Sequence, residues 1–122
     1  MMQIVTQILI AFVALQHLLF LWIEMFAWES TGKKVFKGAL APELFEPTKV
    51  LAANQGLYNG FLSAGLIWSL IVQDQYWSEN ISIFFLSCVI IAALYGAYSA
   101  SGKILLIQGI PAIVAILMVF IF

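Results

Sequence analysis

The chain has 122 residues, 64% of them hydrophobic and only 9% charged, with a net charge of −1. Soluble domains are about half apolar and about a quarter charged, so this composition excludes an ordinary globular protein and points to the bilayer as solvent. Five lysines without one arginine exclude the basic stripe of a nucleic-acid binder, and the lone Cys88 excludes an intramolecular disulfide.

Charges and turn residues divide the chain into four apolar runs, at about 4–28, 50–72, 81–100 and 104–122. Each is close to the ~20 residues that cross a hydrocarbon core of ~30 Å as a helix. Strand-like alternation is absent, and lipid admits only helices or closed barrels. The expectation is therefore all-α: one integral membrane domain, 1–122, built as a four-helix bundle with both termini on the outer side.

The first run lacks a basic leader and a small-residue cleavage site, unlike a signal peptide. His17 and Glu24 lie seven residues apart in it, which places them about 20° apart around a helix and two turns along. Thr6, Ile10, Val13 and Trp28 share their stripe, and the other faces are Leu, Phe, Ile and Val. Ionisable groups inside a span are costly and face a partner or a cavity. His17 and Glu24 are thus candidates for proton or cation binding, with Trp28 beside them. The blander reading pairs Glu24 with Lys33 or Lys34 at the headgroups and leaves His17 bonded to a neighbouring helix. One histidine is too few for a zinc site, which takes three or four protein ligands, and no cofactor is expected.

The linker 29–49 mixes Lys, Phe and Leu with two prolines, as a segment lying along the membrane surface would. Every lysine falls in this linker or in the turn 101–103: Lys33, Lys34, Lys37, Lys49 and Lys103. The positive-inside rule makes both connections cytoplasmic, in the cell inner (plasma) membrane, and leaves the bare N-terminus and the acidic connection 73–80 outside.

The second run opens with NQGLYNGFLSAGL, residues 54–66. Wound as a helix, Gly56, Gly60 and Ala64 form a small-residue line suited to close helix approach. Asn54, Gln55, Tyr58 and Asn59 fall in an opposite polar sector. Such amides serve as interhelical glue worth ~0.6–2 kcal/mol each, or as the wall of a ligand site. The topology puts them level with Glu24, so the expectation is one cytoplasm-facing polar layer. In the third run Gly96 is a packing position, and Tyr95 and Tyr98 lie near the cytoplasmic end as secondary candidates. In the fourth, Gln108 is a further candidate, and Pro111 removes a backbone hydrogen bond and kinks or widens the helix.

A His and a Glu seven apart, Trp28, Phe36, then NQGLYNG and QGIPA: together these resemble the small four-pass bacterial membrane family catalogued as domain of unknown function number thirteen hundred and four. The resemblance implies a four-pass helical fold. It adds weight to His17, Glu24, Trp28, Phe36, Asn54, Gln55, Gly56, Tyr58, Asn59, Gly60, Gln108 and Pro111 without naming a substrate.

Three functions compete. In the first, a polar cavity binds or transports a small molecule or ion, with proton coupling through Glu24. In outline that is similar to dimeric small multidrug-resistance transporters, although NQGLYNG does not match them and Glu24 lies near a span end. The second is a membrane-embedded enzyme acting on a lipid, quinone or isoprenoid, with His17 and Glu24 as acid and base. The third is an accessory or assembly subunit that binds a partner membrane helix through Gly56 and Gly60. The expected partners are the lipid bilayer and a second copy or another membrane helix, not nucleic acid, and the balance leans away from an enzyme.

Overall fold

A computed structural model describes residues 2–122; the initial methionine of the bare N-terminus lies outside them. The described residues are helical, with no β-strand among them. We label the long helices α1 (Ile4–Phe26), α2 (Lys49–Ile71), α3 (Gln75–Ser99) and α4 (Gly102–Ile121). Helices α1, α3 and α4 are long and apolar enough to cross a membrane. Helix α2 is equally long at 23 residues but falls outside that set, because Asn54, Gln55, Tyr58, Asn59 and its glycines and serines dilute its apolar content.

Helix α1 packs on α2, α2 on α3, α3 on α4, and α4 returns to α1. The α1–α2 pair runs antiparallel: Glu24 meets Asn59, while ten residues earlier on α1 the Ala14 carbonyl accepts from the buried Ser63 hydroxyl at 2.8 Å. The core lies between the helices and comprises Ile10, Val13, Ala14, Leu66, Leu86, Val89, Ala112 and Ala115. Outward faces carry large apolar side chains such as Phe12, Leu15, Phe61, Phe84, Ile91 and Phe120, all exposed. That pattern suits a hydrocarbon surround and would be ruinous in water.

The connections depart from the sequence expectation at two places. The acidic stretch 73–80 is mostly the first turns of α3, which starts at Gln75. Asp74 caps it, its carboxylate accepting from the Trp77 backbone N–H at 3.1 Å, and Gln75 bonds Glu79 across one turn at 2.8 Å. A capping aspartate satisfies an orphan N–H and so starts a helix, where hydropathy alone reads a loop. The first connection, 27–48, is built of a wide turn (Trp28–Gly32), a single helical turn (Lys33–Val35) and a 3-10 turn (Pro42–Leu44). Trp28 organises it. Its ring packs at centroid distances of 4.9 Å on Phe45, which is 1% exposed, and 5.5 Å on Phe36, and its indole N–H donates to the Thr48 hydroxyl at 3.1 Å. Trp28 thus ties the end of α1 to the start of α2.

Two more corrections concern packing. Ala64 is exposed, because the buried side of α2 runs through Ala52, Gly56, Ser63, Gly65, Leu66 and Ser69. Gly65 takes the tight approach instead, with the Phe85 ring of α3 lying where a Cβ would be. Gly96 does pack closely, against Ile104. Helix α4 does not simply kink at Pro111: its Leu105–Gly109 segment widens into a π-turn, in which Ile110 donates five residues back to Leu105. Proline has no N–H to offer the Ile107 carbonyl. Gln16 of α1 supplies the missing donor, its Nε2 lying 2.7 Å from that oxygen.

Candidate functional site

Gly56 decides the geometry where α1 and α2 meet near the first connection. A Cβ there would sit 2.6 Å from Met25 Cγ and 3.1 Å from both Glu24 Cβ and the Leu21 carbonyl, so only glycine permits this approach. Gly60, one turn on, meets the Leu21 side chain. The GxxxG therefore seats α1 of the same chain, and its face is not open to another helix.

Asn59 lies about 60° around α2 from Gly56, close enough to reach across. Its amide nitrogen donates to a Glu24 carboxylate oxygen at 2.6 Å. With Glu24 ionised, the bond is charge-assisted and stronger than one between neutral groups. Both partners are half-buried. Glu24 makes no ion pair among the described residues; the Lys49–Glu46 contact at 3.7 Å is exposed and belongs to the α2 start. Lys33 and Lys34 do not neutralise it.

Beside this bond an open groove of about 600 Å³ lies between the end of α1 and the start of α2. Glu24, Trp28, Glu29, Lys49, Ala53 and Asn54 are among its walls. Glu24, Trp28 and Asn54 thus share the groove, Glu24 being held by Asn59 and the Trp28 indole by Thr48. Asn54 borders the groove at an exposed position.

The other candidates lie elsewhere. His17 is buried and its Nδ1 donates to the Val13 carbonyl at 2.8 Å, with Phe20 edge-on at 5.5 Å. It stands seven residues, about 10 Å along the helix, from Glu24, and is not part of the groove wall. Gln55 and Tyr58 are exposed. With Gly56 turned to α1, they project about 100° and 160° away from it, so the polar sector divides instead of forming one wall. Tyr95 and Tyr98 are exposed on α3, Tyr98 to 89%, their rings 6.4 Å apart, and neither enters the groove. Gln108 is half-buried in the π-turn of α4. Sequence reasoning missed two groove residues, Glu29 and Lys49, and one scaffold contact, Gln16. The first two are charges that only the fold brings beside Glu24. The third was legible in principle, since a proline inside a helix always leaves a carbonyl to be satisfied.

Fold and site together define a class: an all-helical protein with three helices able to cross a membrane and, at an open groove, a glutamate held by an amide and without an ion-pair partner among the described residues. Residues 11–120 match the family model described as protein of unknown function (DUF1304), and the chain belongs to that family. It is also similar to the uncharacterized protein YpaA of Lactococcus lactis subsp. lactis (strain IL1403), 36% identical over 122 residues that cover 98% of this chain and 99% of that one. No solved structure matches the chain.

Proposed function

We propose that the protein is a four-pass helix bundle of the plasma membrane that binds a small molecule or ion at the Glu24 groove and carries it across the bilayer, exchanging a proton at Glu24. The observation behind this reading is the Glu24–Asn59 bond at 2.6 Å beside a groove of about 600 Å³, with no cation paired to the carboxylate among the described residues. A partly buried carboxylate held by one neutral amide takes up a proton or a cationic ligand with little rearrangement.

Several features support the membrane arrangement. Helix α2 is long enough to span, and it is flanked on both sides by helices that are also apolar enough. Its amides cluster within two turns at the groove end, and in its far half the polar Ser63 and Ser69 are buried and bonded to backbone carbonyls. All five lysines lie in the first connection, at the start of α2 or at the start of α4. In an up-and-down arrangement these share one end, which the positive-inside rule assigns to the cytoplasm, with both termini outside. The separation of His17 from Glu24 favours binding over acid–base chemistry by that pair, since catalytic partners must share hydrogen-bond reach of a substrate.

The test is proton movement into dye-loaded proteoliposomes under an imposed pH gradient. Wild type is expected to move protons faster than empty vesicles, and Glu24→Gln at least about tenfold slower than wild type. Equal rates for the two proteins would overturn the reading.

A further inference from the structure

We propose that the groove takes an amphiphilic amine, its ammonium seated on the free oxygen of Glu24 and its apolar portion lying across Phe26 and Val50. The inference rests on the groove being a ligand site and adds the class of ligand.

The balance of charged and polar groups at the groove carries the argument. The Asn59 amide nitrogen is engaged by Glu24, the Trp28 indole N–H by Thr48, and the Ser30 hydroxyl by the Ala27 carbonyl at 3.4 Å. The ammonium of Lys49 lies 3.7 Å from Glu46. The Asn54 amide is a further donor at the rim, and the groove's one ammonium, on Lys49, already faces Glu46. Acceptor capacity outweighs them, from the second oxygen of Glu24 and from the exposed carboxylate of Glu29. An anionic ligand would meet two carboxylates against one ammonium that already faces a third, Glu46. A neutral one would leave an ionised Glu24 uncompensated. An ammonium supplies both donors and the missing counter-charge.

The apolar part follows from the rim. Phe26 and Val50 border the groove and are 72% and 68% exposed. The opening therefore continues sideways onto the apolar outer surface of α1 and α2. A hydrophilic cation has no use for such a wall, whereas a ligand with a hydrocarbon tail buries area on it. Two sources share this chemistry: a membrane lipid with an amine headgroup, and a free long-chain amine.

The experiment uses full-length protein in phosphatidylcholine nanodiscs, offered dodecylamine, dodecanol or dodecanoate in separate samples, with the retained probe read by native mass spectrometry. Dodecylamine should be retained at least about tenfold over the other two. Glu24→Gln should lose that preference; it still accepts from Asn59, so helicity by circular dichroism should be unchanged. Glu24→Asp, which keeps the charge, should restore part of it. Ala53→Trp, which fills the groove, should abolish retention. Preference for dodecanol or dodecanoate that Ala53→Trp removes overturns the amine and leaves the groove as a ligand site. Retention indifferent to Ala53→Trp overturns both. A second arm adds phosphatidylethanolamine to the discs. Its Glu24-dependent retention, displaced by dodecylamine, assigns the lipid source; retention of dodecylamine alone assigns the free amine.

Discussion

Helix α1 uses polar side chains on two of its neighbours, and the two contacts differ in kind. Toward α4, Gln16 donates to the Ile107 carbonyl at 2.7 Å. Pro111 created that need, and in hydrocarbon an unpaired carbonyl is costly. The fold fully accounts for this bond. Toward α2, Glu24 accepts from Asn59 at 2.6 Å. Nothing in the backbone requires a carboxylate here, and two apolar residues would seal the same interface without any charge to desolvate. One contact repairs the scaffold. The other places a charge at a groove that the scaffold could have closed. A polar group that structure does not require is where function is to be sought.

That contrast can be broken most severely at Gly56. Gly56→Leu drives a side chain into Met25 and the Leu21 carbonyl, and backbone cannot yield as a side-chain tip can. Loss of about 3 kcal/mol or more is expected, seen as unfolding at lower dodecyl sulfate fraction, with groove and α1–α2 interface lost together. Unchanged stability would mean that the two helices do not approach this closely.

Glu24→Gln should separate function from fold. The replacement keeps an acceptor for Asn59, so stability should move by less than about 0.5 kcal/mol. Proton movement should nevertheless drop at least about tenfold. Should both fall in parallel, Glu24 belongs to the scaffold and the contrast with Gln16 dissolves.

Gln16→Leu should do the reverse, leaving proton movement near wild type while destabilising by about 1–2 kcal/mol, the cost of a carbonyl left unpaired in hydrocarbon. In a Pro111→Ala background the residue at 111 supplies its own N–H to Ile107, and the same Gln16→Leu change should then cost almost nothing. A cost that is equal in both backgrounds would show that Gln16 acts by some route other than the freed carbonyl. The smallest effect is expected at Tyr98. Its hydroxyl is exposed at the end of α3, so Tyr98→Phe should change neither stability nor proton movement.

Much of this was legible in the chain. The stripe through Thr6, Ile10, Val13, His17 and Glu24 turns inward, Thr6 to His17 buried and Glu24 half-buried, because helical period alone decides which side chains share a face. Gly56 and Gly60 were recognisable as the surface for a close helix, although not which helix would fill it. The polar sector of α2 was read too coarsely. Periodicity groups Asn54, Gln55, Tyr58 and Asn59, but Asn59 alone lies within reach of the glycine face, and the helix it meets decides which amide is used.

By itself the sequence determined the helical class, the apolar exterior and the charge asymmetry between connections, since each follows from local composition and period. Tertiary structure decided the rest. It matched Asn59 to Glu24 across a glycine contact, assigned Gln16 to a carbonyl 91 residues away, and turned Gln55 and Tyr58 outward. It also brought Glu29 and Lys49 to a shared groove. Those outcomes depend on the rotation and register of one helix against another, and side-chain packing between distant segments sets both.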